Sequence, residues 1–204
     1  MSQTRTPHMT DYEAERRNFS LDVPEYFNFA IDVMGKWASD PGKLAMLWIG
    51  QKGEVERNIT FAQFAERSSR AANAFATLGI KKGDRVLVML PRIPEWWETV
   101  LGLMKLGAIA IPCTILLTPK DIAFRAEVAE AVAFITDHEG AAKFDQVRSE
   151  CPTIHYTILA DAYNTAAREG WTDYHQIVDA ASPEFTGPKT RSMMLAWSIS
   201  HRVR

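Results

Sequence analysis

Two hydrophobic periods alternate along this chain. Residues 86–90 are an unbroken apolar run, short enough for a strand buried on both faces. Between Pro94 and Gly107 the apolar positions recur at helical spacing, with Trp97, Val100, Leu101 and Met104 forming one stripe. Pro94 suits the first helical turn, where its missing N–H has no intrahelical partner to lose, and Gly107 suits the left-handed residue that closes a helix. Residues 108–111 open a second apolar run. The pattern predicts a βαβ unit, whose right-handed crossover implies parallel strands.

The same alternation extends to either side. Asp22 reads as the cap of a helix with Pro24 in its first turn and Phe27, Ala30, Ile31, Met34 and Trp37 on one face, ended by Asp40-Pro41-Gly42. Residues 44–49 and 55–59 flank Gly50-Gln51-Lys52-Gly53 and read as a β-hairpin with a four-residue loop. Thr60 and Gln63 have capping-box spacing and open a helix to Leu78, whose alanines predict close approach to another layer. Thr118, Pro119 and Asp121 start a helix to about Glu130, followed by an apolar run at 132–135. A helical segment over 139–150, a strand over 154–159 and a short helix over 172–181 come next, the last with Tyr174, Ile177 and Val178 inward. Residues 182–192 read as a loop, and 193–199 are apolar enough for a strand. The fold class expected is α/β: an open, mostly parallel sheet with helices on both faces, preceded by a helix and a β-hairpin. The division expected is a flexible lead-in at 1–21, a folded body at 22–192 and a divergent tail at 193–204.

Composition narrows the function classes. With 47% hydrophobic and 24% charged residues in 204, the chain reads as globular, and a net charge of −2 gives no electrostatic reason for a nucleic-acid partner. Cys113 and Cys151 lie far apart, outside any metal-ligand spacing, and fit a reducing compartment. The first 20 residues lack a signal-peptide apolar core, and no apolar run approaches the roughly 20 residues of a membrane span, so a cytoplasmic location is expected.

Few residues carry chemistry on their own account. No two glycines lie closer than Gly50 and Gly53, so there is neither a dinucleotide fingerprint nor a Walker loop. The five histidines are scattered and no Gly-x-Ser-x-Gly elbow exists. Trp96 and Trp97 read as helix packing in preference to an acyl pocket. Arg92 and Arg125 read as surface or helix-terminal contacts in preference to phosphate ligands.

Particular motifs add a family. Gly83-Asp84-Arg85-Val86, then Leu90-Pro91-Arg92-Ile93-Pro94-Glu95-Trp96-Trp97, then Leu106-Gly107-Ala108 and Pro112, resemble the N-terminal region of AMP-forming acyl-CoA synthetases. Trp96-Trp97 and Thr118-Pro119-Lys120-Asp121-Ile122 with Arg125 are most similar to the medium-chain branch. The resemblance spans roughly 26–190 and implies an incomplete N-terminal part of an adenylate-forming enzyme's large domain. It implies a reaction in which a fatty acid, ATP and coenzyme A give acyl-CoA, AMP and pyrophosphate, with Mg²⁺ in the full-length enzymes. By resemblance, Thr114, Leu116 and Arg125 fall near coenzyme A, Leu116 standing where some relatives have glutamine. Thr186-Gly187-Pro188-Lys189 is similar to the close of the family's phosphate loop but lacks the Ser-Gly-Thr run before it. No catalytic residue, metal ligand or cofactor of its own is therefore expected in this chain, which is read as inactive alone. The alternative expected is a non-catalytic interaction or regulatory module derived from the same fold.

Overall fold

The computed structural model describes residues 11–50, 53–163 and 166–193. A short helix, α1 (Tyr12–Asn18), lies within the stretch read as a lead-in; Asp11 caps it, and none of its residues is buried. Two polar turns without a buried face leave no stripe for a sequence reading to find.

The helix expected from Asp22 starts later. Residues 25–27 run alongside 190–192 instead: Tyr26 bridges Arg191, and Phe27 N donates to Thr190 O at 3.1 Å. Thr190 Oγ1 donates back to Phe27 O at 3.0 Å. Long-range pairing has overridden the local start signal, and Asn28 becomes the cap, its Oδ1 accepting from Ala30 N at 3.1 Å. A wide π-type turn, Phe29–Val33, leads into α2 (Met34–Ala38). The expected hairpin follows as β1 (Leu44–Ile49) and β2 (Val55–Thr60), paired antiparallel. Thr60 and Gln63 make the capping box of α3 (Phe61–Leu78).

The sheet is then laid down strand by helix. Its elements are β3 (Arg85–Met89), α4 (Pro94–Leu106), β4 (Ile109–Pro112), α5 (Pro119–Ala129), β5 (Ala133–Thr136), α6 (His138–Asp145), β6 (Tyr156–Leu159), β7 (Thr172–Asp173) and α7 (Tyr174–Ala180). The helix expected over 139–150 stops at Asp145 and resumes as a 3-10 turn, Arg148–Glu150. Spatial order is β4-β3-β5-β6-β7 with every pair parallel. The strand expected over 193–199 falls outside the described residues from 194 onward.

Period-two alternation sends side chains to two cores. Val86, Val88, Ala133, Ile135 and Ile158 pack under α3, α4 and α7 with Phe75, Leu103 and Tyr174. Leu87, Met89 and Phe134 pack on the opposite face with Ile122 of α5 and Phe144 of α6. Each fully buried side chain of this kind contributes about 1.5–3 kcal/mol, so both layers are needed to hold the sheet. The alanines of α3 do bring a neighbour close. A Cβ at Gly102 of α4 would lie 2.9 Å from Ala71 Cβ and 3.2 Å from the backbone of Ala72 and Ser68. The two helices touch backbone to backbone there.

Candidate functional site

The strand order fixes where a ligand crevice falls. From β3 the chain crosses to β4 on one side, then returns past β3 to β5 on the other. Crossover helix α4 covers one face, and α5 and α6 cover the opposite one. Such a reversal opens a crevice beyond the carboxyl ends of the strands, where open α/β sheets bind ligands. Its rim consists of the loops after β3 (90–93), β4 (113–118) and β6 (160–163), with the start of α6 between them.

Thr114 and Leu116 lie on the loop after β4, and Arg125 lies on α5, the helix that loop leads into. Thr114 folds its own loop, its Oγ1 accepting from Leu116 N and its carbonyl from Leu117 N, each at 3.3 Å. Leu116 stands at the apex, 82% exposed. Lys143 of α6 pins the loop, donating to Ile115 O at 2.8 Å while pairing with Glu139 at 2.9 Å. Thr118 caps α5 and donates its hydroxyl to Asp121 Oδ2 at 2.6 Å, which holds the Asp121 carboxyl below the usual carboxylate range. One turn further, the Arg125 guanidinium reaches the field of both Asp121 and the Cys113 thiol. Burial pushes Cys113 up to about 11, with Arg125 working against that rise.

The other residues singled out from sequence scatter. Trp96 packs against the core below α4, whereas Trp97 is 49% exposed, their rings edge to face at 4.8 Å. The apolar stripe read on α4 is thus turned away from Trp97. Arg92 sits exposed on the loop after β3, its carbonyl accepting from Trp48 Nε1 at 3.0 Å.

The described residues of the crevice offer the phosphates of a nucleotide no open backbone cradle. At its floor Asp137 caps α6, accepting from Gly140 N at 2.8 Å, and burial raises its pKa with Asp161 and Glu139 adding to the rise. Gly140 offers no open cradle, because a Cβ there would overlap Thr136 Oγ1 and the Met89 side chain. The glycine lets α6 sit close on β3 and β5. Among the described residues, no three His, Cys, Asp or Glu side chains converge as a metal ion requires.

One cluster went unread in the sequence. Glu95 and Glu98 of α4 are 1% and 4% exposed, facing Arg57 of β2 at 3.2 Å and Arg67 of α3 at 3.1 Å. Their spacing of three on a helix was the available signal.

Residues 35–193 match the family model described as AMP-binding enzyme. The chain is 37% identical over 199 residues to the acyl-coenzyme A synthetase ACSM1, mitochondrial, of Homo sapiens, covering 94% of this chain and 34% of that protein. It is 35% identical over 177 residues to ACSM5, mitochondrial, of Rattus norvegicus, covering 83% of this chain and 30% of that one. It thus spans about a third of the length of these curated relatives. The crystal structure of Brucella canis acyl-CoA synthetase superposes with a TM-score of 0.81 at 26% identity, over 95% of this chain and 36% of that one. The anthranilate CoA ligase AuaEII, solved with anthranoyl-AMP, shares the fold at a TM-score of 0.71 and 21% identity, over 83% of this chain and 31% of that one. Doubly wound sheet, matched family model and relatives agree: the chain belongs to the AMP-binding enzyme family and is similar to acyl-coenzyme A synthetases over about a third of their length.

Proposed function

We propose that this chain is the scaffold portion of an AMP-forming, medium-chain acyl-CoA ligase. The observation that carries the reading is its 37% identity, across nearly its whole length, to an acyl-coenzyme A synthetase. In the whole enzyme, the acid, ATP with Mg²⁺, and coenzyme A would be the substrates and partners. The thiol of bound coenzyme A supplies the nucleophile that takes the acyl group from its adenylate. Thr114 shapes the loop on which that cofactor would lie, Leu116 would line it, and Arg125 would supply a cation to its phosphates. The half-buried Cys113 and buried Cys151 are free thiols, which fits a reducing compartment, and a cytoplasmic location is part of this reading.

The 204 residues alone are inactive in this reading, because their sequence has no Ser/Thr/Gly-rich loop to cradle the β- and γ-phosphates. Purified protein given ATP, Mg²⁺, labelled pyrophosphate and octanoate should show no isotope exchange above a protein-free blank. Robust exchange would overturn the inactive reading. DNA read beyond codon 192 in all three frames should reveal such a loop if a longer ligase is encoded.

The second reading is a non-catalytic interaction module. It is favoured by apolar side chains left exposed on β1, namely Leu44, Leu47 and Ile49. A soluble, monodisperse chain by size-exclusion with light scattering would support it, and aggregation would count against it.

A further inference from the structure

We infer that the amino end of the sheet carries a binding site for a multivalent phosphate-type anion, separate from the crevice at the carboxyl end. A cavity of about 600 Å³ opens there, lined by Tyr26, Lys82, Lys189, Arg191 and Met193. That volume lies within the ordinary range of small-molecule sites. Its three charged side chains are all cations, and among the described residues no carboxylate lines it. The chain as a whole carries a net charge of −2, so this clustering is not a reflection of general basicity.

The cations are positioned by built structure. Lys189 and Arg191 flank Thr190 in the extended segment that pairs with 25–27, so alternation sends them to one side and turns Thr190 inward, where it is 8% exposed. Four bonds hold that segment: Phe27 N to Thr190 O, Thr190 Oγ1 to Phe27 O, Ser192 N to Glu25 O, and Ser192 Oγ to Pro24 O. Lys82, just ahead of β3, donates from Nζ to Lys189 O at 2.8 Å. That bond draws a third positive charge toward the other two against their mutual repulsion. Lys189 Nζ lies 5.5 Å from the Tyr26 ring centroid, a cation–π distance that orients the ammonium beside the cavity wall. The carboxylate facing the group is Glu25, 3.9 Å from Arg191, with both side chains mostly exposed. Such a pair is worth roughly 0–1 kcal/mol and yields readily to a phosphate, which takes an Arg guanidinium through two parallel hydrogen bonds.

Distance keeps this site apart from the crevice. Lys82 and Gly107 precede β3 and β4, and a Cβ at Gly107 would lie 3.0 Å from Lys82 Cγ and 3.2 Å from Thr190 Cγ2. The five residues of β3 then separate the two ends by about 16 Å at 3.3 Å per residue. An anion here stands at the opposite end of β3 from the Thr114 loop.

Calorimetric titration of the full 204-residue chain with sodium tripolyphosphate at low salt tests this. The expected result is saturable binding, weakened at least tenfold in the Lys189→Gln/Arg191→Gln double variant and unchanged in Lys36→Gln, which removes an exposed cation of α2. Lys82→Gln, which leaves the 25–27 pairing intact, should weaken binding as well, and circular dichroism should show all variants folded. Absence of saturable heat, equal affinity in the double variant, or loss of binding in Lys36→Gln alone would overturn the inference. The outcome is independent of adenylation, so it stands or falls apart from the ligase reading.

Discussion

Tyr174 of α7 donates its hydroxyl to Glu98 Oε2 of α4 at 3.1 Å, across 76 positions of sequence, and both side chains are buried. Arg67 of α3 reaches the same oxygen at 3.1 Å and also pairs with Asp179 of α7. One carboxylate thus ties together the three helices that cover one face of the sheet. Burial raises the Glu98 carboxyl above the usual carboxylate range, Arg67 opposing and Glu95 adding to the rise. The folded state therefore holds that proton more tightly than the unfolded one, and stability from this group falls as pH rises from about 4.5 through the raised value. Urea midpoints of wild type minus those of Glu98→Gln should decline over that window, and a difference that climbs with pH would contradict the assignment. Tyr174→Phe removes one hydrogen bond to a charged group and should cost about 1.5–3 kcal/mol.

Lys105 of α4 presents the opposite case. Its ammonium is buried against α3, donating to Ala65 O at 2.7 Å and Ser69 Oγ at 2.8 Å, and burial lowers its pKa to about 8. Between about 8 and 10.5 the unfolded chain binds the extra proton, so stability rises with pH across that range. Denaturation at pH 8 and pH 10 should show wild type gaining on Lys105→Met.

At Gly102 two effects compete. Alanine favours a helix over glycine by about 1 kcal/mol, while forcing a methyl into a filled contact costs about 1–3 kcal/mol. Two of the three near neighbours are backbone atoms, which cannot swing aside. Gly102→Ala should therefore lower the thermal midpoint, and a raised midpoint would show that α3 and α4 can part.

Cys113 reports on the stretch that holds Thr114 and Arg125. With its thiol at about 11 against an ordinary 9.0, alkylation by iodoacetamide at pH 8 should run about 100-fold slower than for an exposed cysteine. Arg125→Gln removes the nearby cation and should slow it further, read by peptide mass spectrometry. An unchanged rate would place Arg125 elsewhere.

Local signals carried much of this architecture and failed where distant groups decide. The run at 86–90, the Pro94 start and the Thr118 cap lie in single short segments, so β3, α4 and α5 were legible in sequence. Asp22 and Pro24 also form a plausible start, yet the backbone of 190–192 claims that stretch and moves the helix to Asn28. Glu95 and Glu98 look like solvent-facing residues until Arg57 and Arg67 are placed beside them by other elements. Of the candidate site, motif resemblance named Thr114, Leu116 and Arg125, and only the fold adds that Arg125 acts on the Cys113 thiol and that Lys143 holds the loop at Ile115.

The bond from Thr190 Oγ1 to Phe27 O joins positions 163 apart. A ring of that size costs about 1.5–2 kcal/mol more chain entropy on closing than a βαβ step, and few bonds reward the closure. It should be the final event of folding and the first to peel open, with the amides of Phe27 and Ser192 exchanging deuterium ahead of the β3 amides. Polyphosphate bound across that seam would then act as a latch, holding shut a clasp whose opening frees both flanks of the sheet at once.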